Sequence, residues 1–168
     1  MNHSLASIAY VALGANLGDP LATLQAALAA LAEIPATRLV SSSSLYRTAP
    51  VGLKHQPDFI NAVAILQTTL APTQLLEALF DIEASFGRSR SIPNAPRTLD
   101  LDLLLHGETV QDQAQLTLPH PRMHLRAFVL VPLLEIAPDC SIPGRGPARQ
   151  FLDGCRDQAI VRIPSAAA

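Results

Sequence analysis

Leu99-Asp100-Leu101-Asp102-Leu103-Leu104-Leu105, reached through Pro96-Arg97-Thr98, places two carboxylates two residues apart in a leucine-rich run. Side chains of a β-strand alternate between faces. Read as a strand, the run sends Asp100 and Asp102 one way and Leu99, Leu101 and Leu103 the other, into a core. The two aspartate Cα atoms then stand about 6.6 Å apart, at a rise of roughly 3.3 Å per residue. Asp is a poor strand former and like charges on one face repel, so the pattern asks for compensation. A divalent cation, or two, supplies it. All-oxygen ligands suit Mg²⁺, which takes one or two carboxylates and fills its other positions with water and phosphate oxygens. The alternative is the solvated face of an amphipathic strand.

Upstream, the Gly87 to Pro96 loop and the approach to the strand carry Arg88, Arg90 and Arg97 and no acidic residue. Carboxylates for metal beside guanidinium forks for phosphate oxygens are what a polyphosphate-metal complex requires. Simple pairing of these arginines with Asp100, Asp102 and Glu83 is the structural alternative. The length and Gly/Pro/Ser content of the loop favour a mobile lid.

Further out, Ile8 to Leu13 reads as a buried strand ending in Gly14-Ala15-Asn16-Leu17-Gly18, with Asp19 as N-cap and Pro20 as first residue of a helix over Leu21 to Glu33. Arg38 to Tyr46 reads as a second strand, Thr48 to Pro57 as a loop and Phe59 to Thr68 as a third strand. Pro72 opens a second helix, with Leu75, Leu76, Leu79, Ile82 and Phe86 at helical spacing, and Gly87 closes it. After the aspartate strand and a turn at Gly107 come a short strand near Gln115 to Leu118 and a helical pattern over Met123 to Ile136 that bends or restarts at Pro132. A short helix near Arg149 to Arg156 and a strand at Ile160 to Ile163 follow. Several neighbouring elements are joined by loops too short for crossovers. The expectation is therefore an α+β, ferredoxin-like sandwich with a mixed or antiparallel sheet flanked by helices, a single domain over 1–168 with a core of about 8–163 and a frayed tail.

Composition narrows the function classes. With 49% hydrophobic residues and a net charge of −2, the chain builds a core and shows no basic footprint for nucleic acid. The start lacks a basic leader followed by an apolar run, and no apolar stretch approaches the roughly 20 residues of a membrane span. Cys140 and Cys155 lack metal-type spacing and read as reduced thiols. A monomeric, cytoplasmic protein is expected.

Three further patterns bear on chemistry. The glycine turn after the first strand lacks the Lys-Ser/Thr of a P-loop and the spacing of a dinucleotide site, so phosphate binding rests on arginine. Phe59, Asn61, Val63 and Ile65 share a face of the third strand, where the amide of Asn61 could read the edge of a flat heterocycle stacked on Phe59, or else bond nearby backbone. His120 and His124 are four apart, as zinc on a helix would need, but Pro121 intervenes and no adjacent Glu completes the motif. Phosphate contacts by His120 and Arg126 near a helix N-terminus fit better.

Taken together, Gly14-Ala15-Asn16-Leu17-Gly18, Ser44-Leu45-Tyr46-Arg47-Thr48-Ala49-Pro50, Gln56-Pro57-Asp58-Phe59-Ile60-Asn61-Ala62, Pro96-Arg97-Thr98-Leu99-Asp100-Leu101-Asp102 and Leu118-Pro119-His120-Pro121 resemble the 6-hydroxymethyl-7,8-dihydropterin pyrophosphokinase family of the folate pathway. The resemblance runs from about Ala9 to Pro138. It implies ATP as co-substrate, two Mg²⁺ ions, and transfer of pyrophosphate to the pterin hydroxymethyl oxygen with AMP leaving. By position it makes Asp100 and Asp102 the metal ligands and Arg88 and Arg97 the catalytic arginines. It places Glu83, Arg90, Leu103, Thr117, His120 and Arg126 around ATP, and Thr48, Val51, Phe59, Asn61 and Phe128 around the pterin.

Departures accompany the resemblance. Pro93-Asn94-Ala95-Pro96-Arg97 stands where many members carry a basic residue and a Trp before Gly-Pro-Arg, and this chain has no Trp. Phe59 and Pro121 stand where Tyr is frequent, which removes a hydroxyl from each pocket. The carboxylates and arginines alone would also serve a metal-dependent phosphohydrolase, and a lid unable to close would leave a non-catalytic pterin or nucleotide binding module.

Overall fold

The computed structural model describes residues 5–49, 57–87 and 99–164. Strand β1 (Ser7–Ala15) leads into helix α1 (Pro20–Ala32), where the Asp19 carboxylate accepts the Ala22 N–H at 3.2 Å and Pro20 takes the first turn. Next come β2 (Thr37–Ser42), β3 (Tyr46–Thr48) and β4 (Phe59–Thr68). Helix α2 (Pro72–Ser85) follows, stopped by Gly87 at φ +79°. The aspartate run forms β5 (Asp100–His106), with the hairpin β6 (Gln111–Asp112) and β7 (Thr117–Leu118) after it. A 3-10 turn (Met123–Leu125) precedes α3 (Ala127–Ile136). The hairpin β8 (Ser141–Ile142) and β9 (Gly146–Pro147), a 3-10 helix (Ala148–Cys155) and β10 (Ile160–Arg162) complete the chain.

One sheet carries the architecture. Its order is β10-β3-β4-β1-β5, with β2 also on β4, and every pairing among the described residues is antiparallel. Alternation sorts its side chains into two cores. Leu13, Leu66 and Leu101 pack with Leu24 and Leu31 of α1 and Leu75 and Leu79 of α2. On the opposite face Val63 and Leu104 pack with Leu130 and Leu133 of α3 and with the 3-10 helix. The sheet is thus covered by helices on both faces, as an α+β sandwich requires.

Three local expectations need correction. The Arg38 to Tyr46 segment is two strands, because Ser43 breaks the ladder: its hydroxyl accepts the Val63 N–H at 2.9 Å, and the next N–H, of Ser44, goes to the Glu135 carboxylate. The Met123 to Ile136 helix is interrupted at Arg126, in extended conformation at φ −122°, ψ 116°, and not at Pro132, which stays helical and buried in α3. The last helix is of 3-10 type, and the short strand before Pro119 shrinks to Thr117–Leu118.

Candidate active site

The register of the three central strands builds the floor of the site. Gly14 of β1 lies opposite Asn61 of β4 on one side and Asp100 of β5 on the other, and Tyr46 of β3 lies opposite Asn61. One row across the sheet therefore reads Tyr46, Asn61, Gly14, Asp100. In the next row Ala12 lies between Val63 and Asp102. Cross-strand partners share a face, so the two aspartates and Asn61 point to the α3 side. Arg126 and Phe128, at the N-terminus of α3, face the same space.

A cavity of about 220 Å³ opens there, lined among others by Gly14, Asn61, Arg126 and Phe128, by Thr48 and Phe59, and by Asp100 and Asp102. The buried Asn61 donates from Nδ2 to the Thr48 hydroxyl at 2.8 Å, which orients the amide and sets its Oδ1 above Gly14. A Cβ added at Gly14 would stand 3.3 Å from that oxygen. Any larger residue here would have to shift the Asn61 amide by a few tenths of an ångström.

A second cavity, of about 320 Å³, lies against β5 and is lined by Leu103, Thr117 and His120, by the Gln113–Leu116 turn, and again by Asp100 and Asp102. The two aspartates belong to both hollows. His120 is held at its backbone, whose N–H donates to Leu104 O at 2.9 Å, and at its ring, whose Nδ1 accepts the Arg122 N–H at 3.1 Å. That bond leaves Nε2 to carry the proton. Burial, then the charges of Arg126 and Arg122, push the His120 pKa down to about 4 against a weaker pull from Asp100, so the ring is a neutral donor near neutrality.

Arg126 sits at the junction of the 3-10 turn and α3, its guanidinium 5.3 Å from the centre of the Phe128 ring. Burial lowers its pKa, the Asp102 and Asp100 carboxylates pull the other way and Arg122 adds to the lowering. Asp100 and Asp102 are hard oxygen donors on one strand face. Among the described residues no cluster of three His, Cys, Asp or Glu gathers as a ready-made metal cage. Two carboxylates suit Mg²⁺, whose remaining positions go to water and phosphate oxygens.

Of the residues singled out in the sequence, Thr48, Phe59, Asn61, Arg126 and Phe128 line the first cavity and Leu103, Thr117 and His120 the second, with Asp100 and Asp102 between them. Glu83 lines neither. It is buried on α2, and its carboxylate accepts the Leu101 N–H at 2.8 Å, anchoring the aspartate strand. Val51, Arg88, Arg90 and Arg97 lie outside the described residues. His124 packs its ring edge-on to Phe151, ring centres 5.3 Å apart, and lines neither cavity.

Two features carried no sequence signal. Glu135 of α3 accepts from the Tyr46 hydroxyl at 2.5 Å and from the Ser44 N–H and hydroxyl, tying α3 to β3 at the head of the Asn61 row. Burial and this bond raise the Tyr46 pKa to about 12. Burial acts to raise Glu135, but the Tyr46 and Ser44 bonds outweigh it and hold the carboxylate below its usual range. The Gln113–Leu116 turn lining the second cavity is the other, a short polar stretch with no chemistry-bearing pattern.

Comparison with known proteins follows the same lines. The family model for 7,8-dihydro-6-hydroxymethylpterin-pyrophosphokinase matches residues 10–138. A Pseudomonas aeruginosa protein named 2-amino-4-hydroxy-6-hydroxymethyldihydropteridine pyrophosphokinase is 48% identical over 157 residues, covering 94% of this chain and 97% of its own. A Haemophilus influenzae protein of the same name is 43% identical over 155 residues, 92% of this chain and 97% of its own. Among solved structures, Plasmodium falciparum HPPK-DHPS with pterin and p-hydrobenzoate superposes with a TM-score of 0.69 at 14% identity over 91% of this chain. This chain spans 45% of that longer one, and the likeness is one of fold.

Proposed function

This chain belongs to the 7,8-dihydro-6-hydroxymethylpterin-pyrophosphokinase family, whose reaction is ATP-dependent transfer of pyrophosphate to hydroxymethyldihydropterin in folate biosynthesis, and from that premise we propose which side chains do the work. The observation that carries the assignment is that two separate cavities meet at Asp100 and Asp102. A transfer between two substrates needs that geometry: the acceptor in one hollow, the donor in the other, and the reacting phosphates where they join.

The pterin belongs in the cavity of Phe59, Asn61 and Phe128. The Asn61 Oδ1, oriented by Thr48, accepts from the N–H edge of the ring, and the two phenylalanines stack on its faces. ATP belongs in the cavity of Leu103, Thr117 and His120, where the neutral imidazole donates from Nε2. Asp100 and Asp102 are the residues that would hold Mg²⁺, two ions by the family reading, and the bound metal would offset phosphate charge. Arg126 binds phosphate oxygens beside the carboxylates, and the family resemblance adds Arg88, Arg90 and Arg97 to the residues that act on the phosphates. The pterin hydroxymethyl oxygen attacks the β-phosphorus in line and AMP departs. The hydroxyl proton passes to solvent as the new P–O bond forms and the bond to AMP breaks; catalysis is positioning and charge compensation, and no side chain is assigned as general base.

A single-domain, monomeric, cytoplasmic enzyme goes with this reading. One sheet bearing both cores supports the single domain, and the two free thiols fit a reducing compartment; no described helix is long and apolar enough to cross a membrane.

The test is a product assay with ATP, Mg²⁺ and 6-hydroxymethyl-7,8-dihydropterin that resolves AMP from ADP, with a pterin-free control. Pterin-dependent AMP is expected. Inorganic phosphate released without pterin would make the chain a phosphohydrolase, and tight binding without turnover would make it a binding module. A separate readout addresses the metal: Asp102→Asn should weaken the Mg²⁺ dependence of binding of a non-hydrolysable ATP analogue, measured by calorimetry.

A further inference from the structure

Arg126 is the single extended residue between the 3-10 turn and α3, and the direction of its side chain is set by its own φ and ψ. Those two angles are fixed if the peptide groups on either side are fixed. One side chain holds both. The Gln158 amide donates from Nε2 to Leu125 O at 2.8 Å and accepts the Ala127 N–H at its Oε1 at 2.9 Å. The second bond also satisfies a helix-terminal N–H that has no partner within α3.

The clamp is itself anchored. The Gln158 backbone N–H donates to Cys155 O at 3.0 Å, and two residues on, Ile160 pairs with Thr48, the residue whose hydroxyl orients Asn61. The segment from Cys155 to Arg162 thus grips the Arg126 junction and the Thr48 strand together. It lies wholly beyond residues 10–138, the span of the family match.

We infer that Gln158 is a positioning residue that aims Arg126 at the phosphate-binding junction of the two cavities, by fixing the two peptide groups that set the Arg126 backbone. The inference rests on the reading of Arg126 as a phosphate ligand. Arginine is a long lever. A small rotation at its Cα displaces the guanidinium widely, and a misplacement of about 1 Å at a reacting site costs up to about a hundredfold in rate. The clamp is exposed to water, which replaces part of each lost bond, so an effect of about tenfold is expected.

The experiment is a double-mutant cycle on the full chain: Gln158→Met, which keeps length and removes both bonds, Arg126→Ala, and the pair together. Gln158→Met should lower kcat/KM for ATP about tenfold while leaving the melting midpoint within about 2 °C. In the Arg126→Ala background it should have no further effect. Gln158→Glu, which keeps the acceptor but sets a carboxylate against Leu125 O, should fall between the wild type and Gln158→Met. An equal loss in both backgrounds would overturn the inference by showing that Gln158 acts elsewhere. So would an unchanged Gln158→Met beside a crippled Arg126→Ala, which leaves the Arg126 assignment standing. An unaffected Arg126→Ala would overturn the Arg126 reading, and the inference with it.

Discussion

The two faces of the central sheet are made by the same strands and end differently. On the α1 and α2 side, Leu13, Leu66, Leu24, Leu31, Leu75 and Leu79 form an apolar contact in which all are buried to 2% exposure or less. On the α3 side the rows begin as core, with Val63 and Leu104 packed with Leu130, and end in Asn61, Gly14 and Asp100, which line a cavity. One face is spent on stability, the other on a site. Alternation along β1, β4 and β5 lets the fold tolerate two carboxylates and a buried amide without breaching its main core.

That division can be broken most severely at the aspartates. Asp102→Ala should lower turnover about a thousandfold or more, by removing one of the two hard oxygen donors. Its thermal midpoint should stay close to wild type, because the loss of its attraction to Arg126 is offset by the removal of a repulsive neighbour of Asp100. A variant retaining wild-type turnover at saturating substrates would end the assignment. The opposite face should respond in the opposite sense: Leu31→Ala leaves a cavity under α1 and should cost about 2–5 kcal/mol in urea unfolding. Its kcat, measured well below the midpoint, should change less than about threefold, since Leu31 itself lines neither cavity.

Gly14→Ala tests the boundary between the faces. The glycine is not in the left-handed region, so alanine is conformationally acceptable and stability should hold. Its methyl must nonetheless displace the Asn61 oxygen 3.3 Å away, and the KM for pterin should rise about tenfold with the KM for ATP little changed. Equal changes in both would place Gly14 outside the pterin floor.

The smallest effect is a slope. His120 is neutral in the folded protein down to about pH 4, whereas the unfolded chain protonates it near 6.5. Between those values the unfolded state binds more protons, so folding stability falls as pH falls through the window. His120→Asn, which keeps an acceptor for the Arg122 N–H, should make the melting midpoint less steeply pH-dependent from 6.5 to 4. An unchanged slope would show that His120 is not buried neutral.

Local pattern carried much of this molecule. The Phe59 to Thr68 strand and the Pro72 start of α2 match the structure residue for residue, because an apolar run between turn residues and a proline at a first helical turn are local statements. Pro132 misled, since its missing N–H suggested a break that helix packing tolerates: its ring is buried in α3, and the interruption falls at Arg126, which carries no breaking residue. The serine run misled similarly, because one hydroxyl on Val63 and one carboxylate from α3 end the strand.

By itself the sequence determined the alternation that puts Asp100 with Asp102 and Phe59 with Asn61, the helix starts, and the motifs that mark the family. All are short-range consequences of backbone periodicity and residue type. Only the tertiary structure decided that Gly14 stands between Asn61 and Asp100, that Glu135 holds Tyr46 across 89 residues, and that Gln158 grips both sides of Arg126 from 31 and 33 residues away. Those partners meet because sheet register and helix packing close the chain on itself, and no spacing along the chain records where a folded surface will bring two residues together.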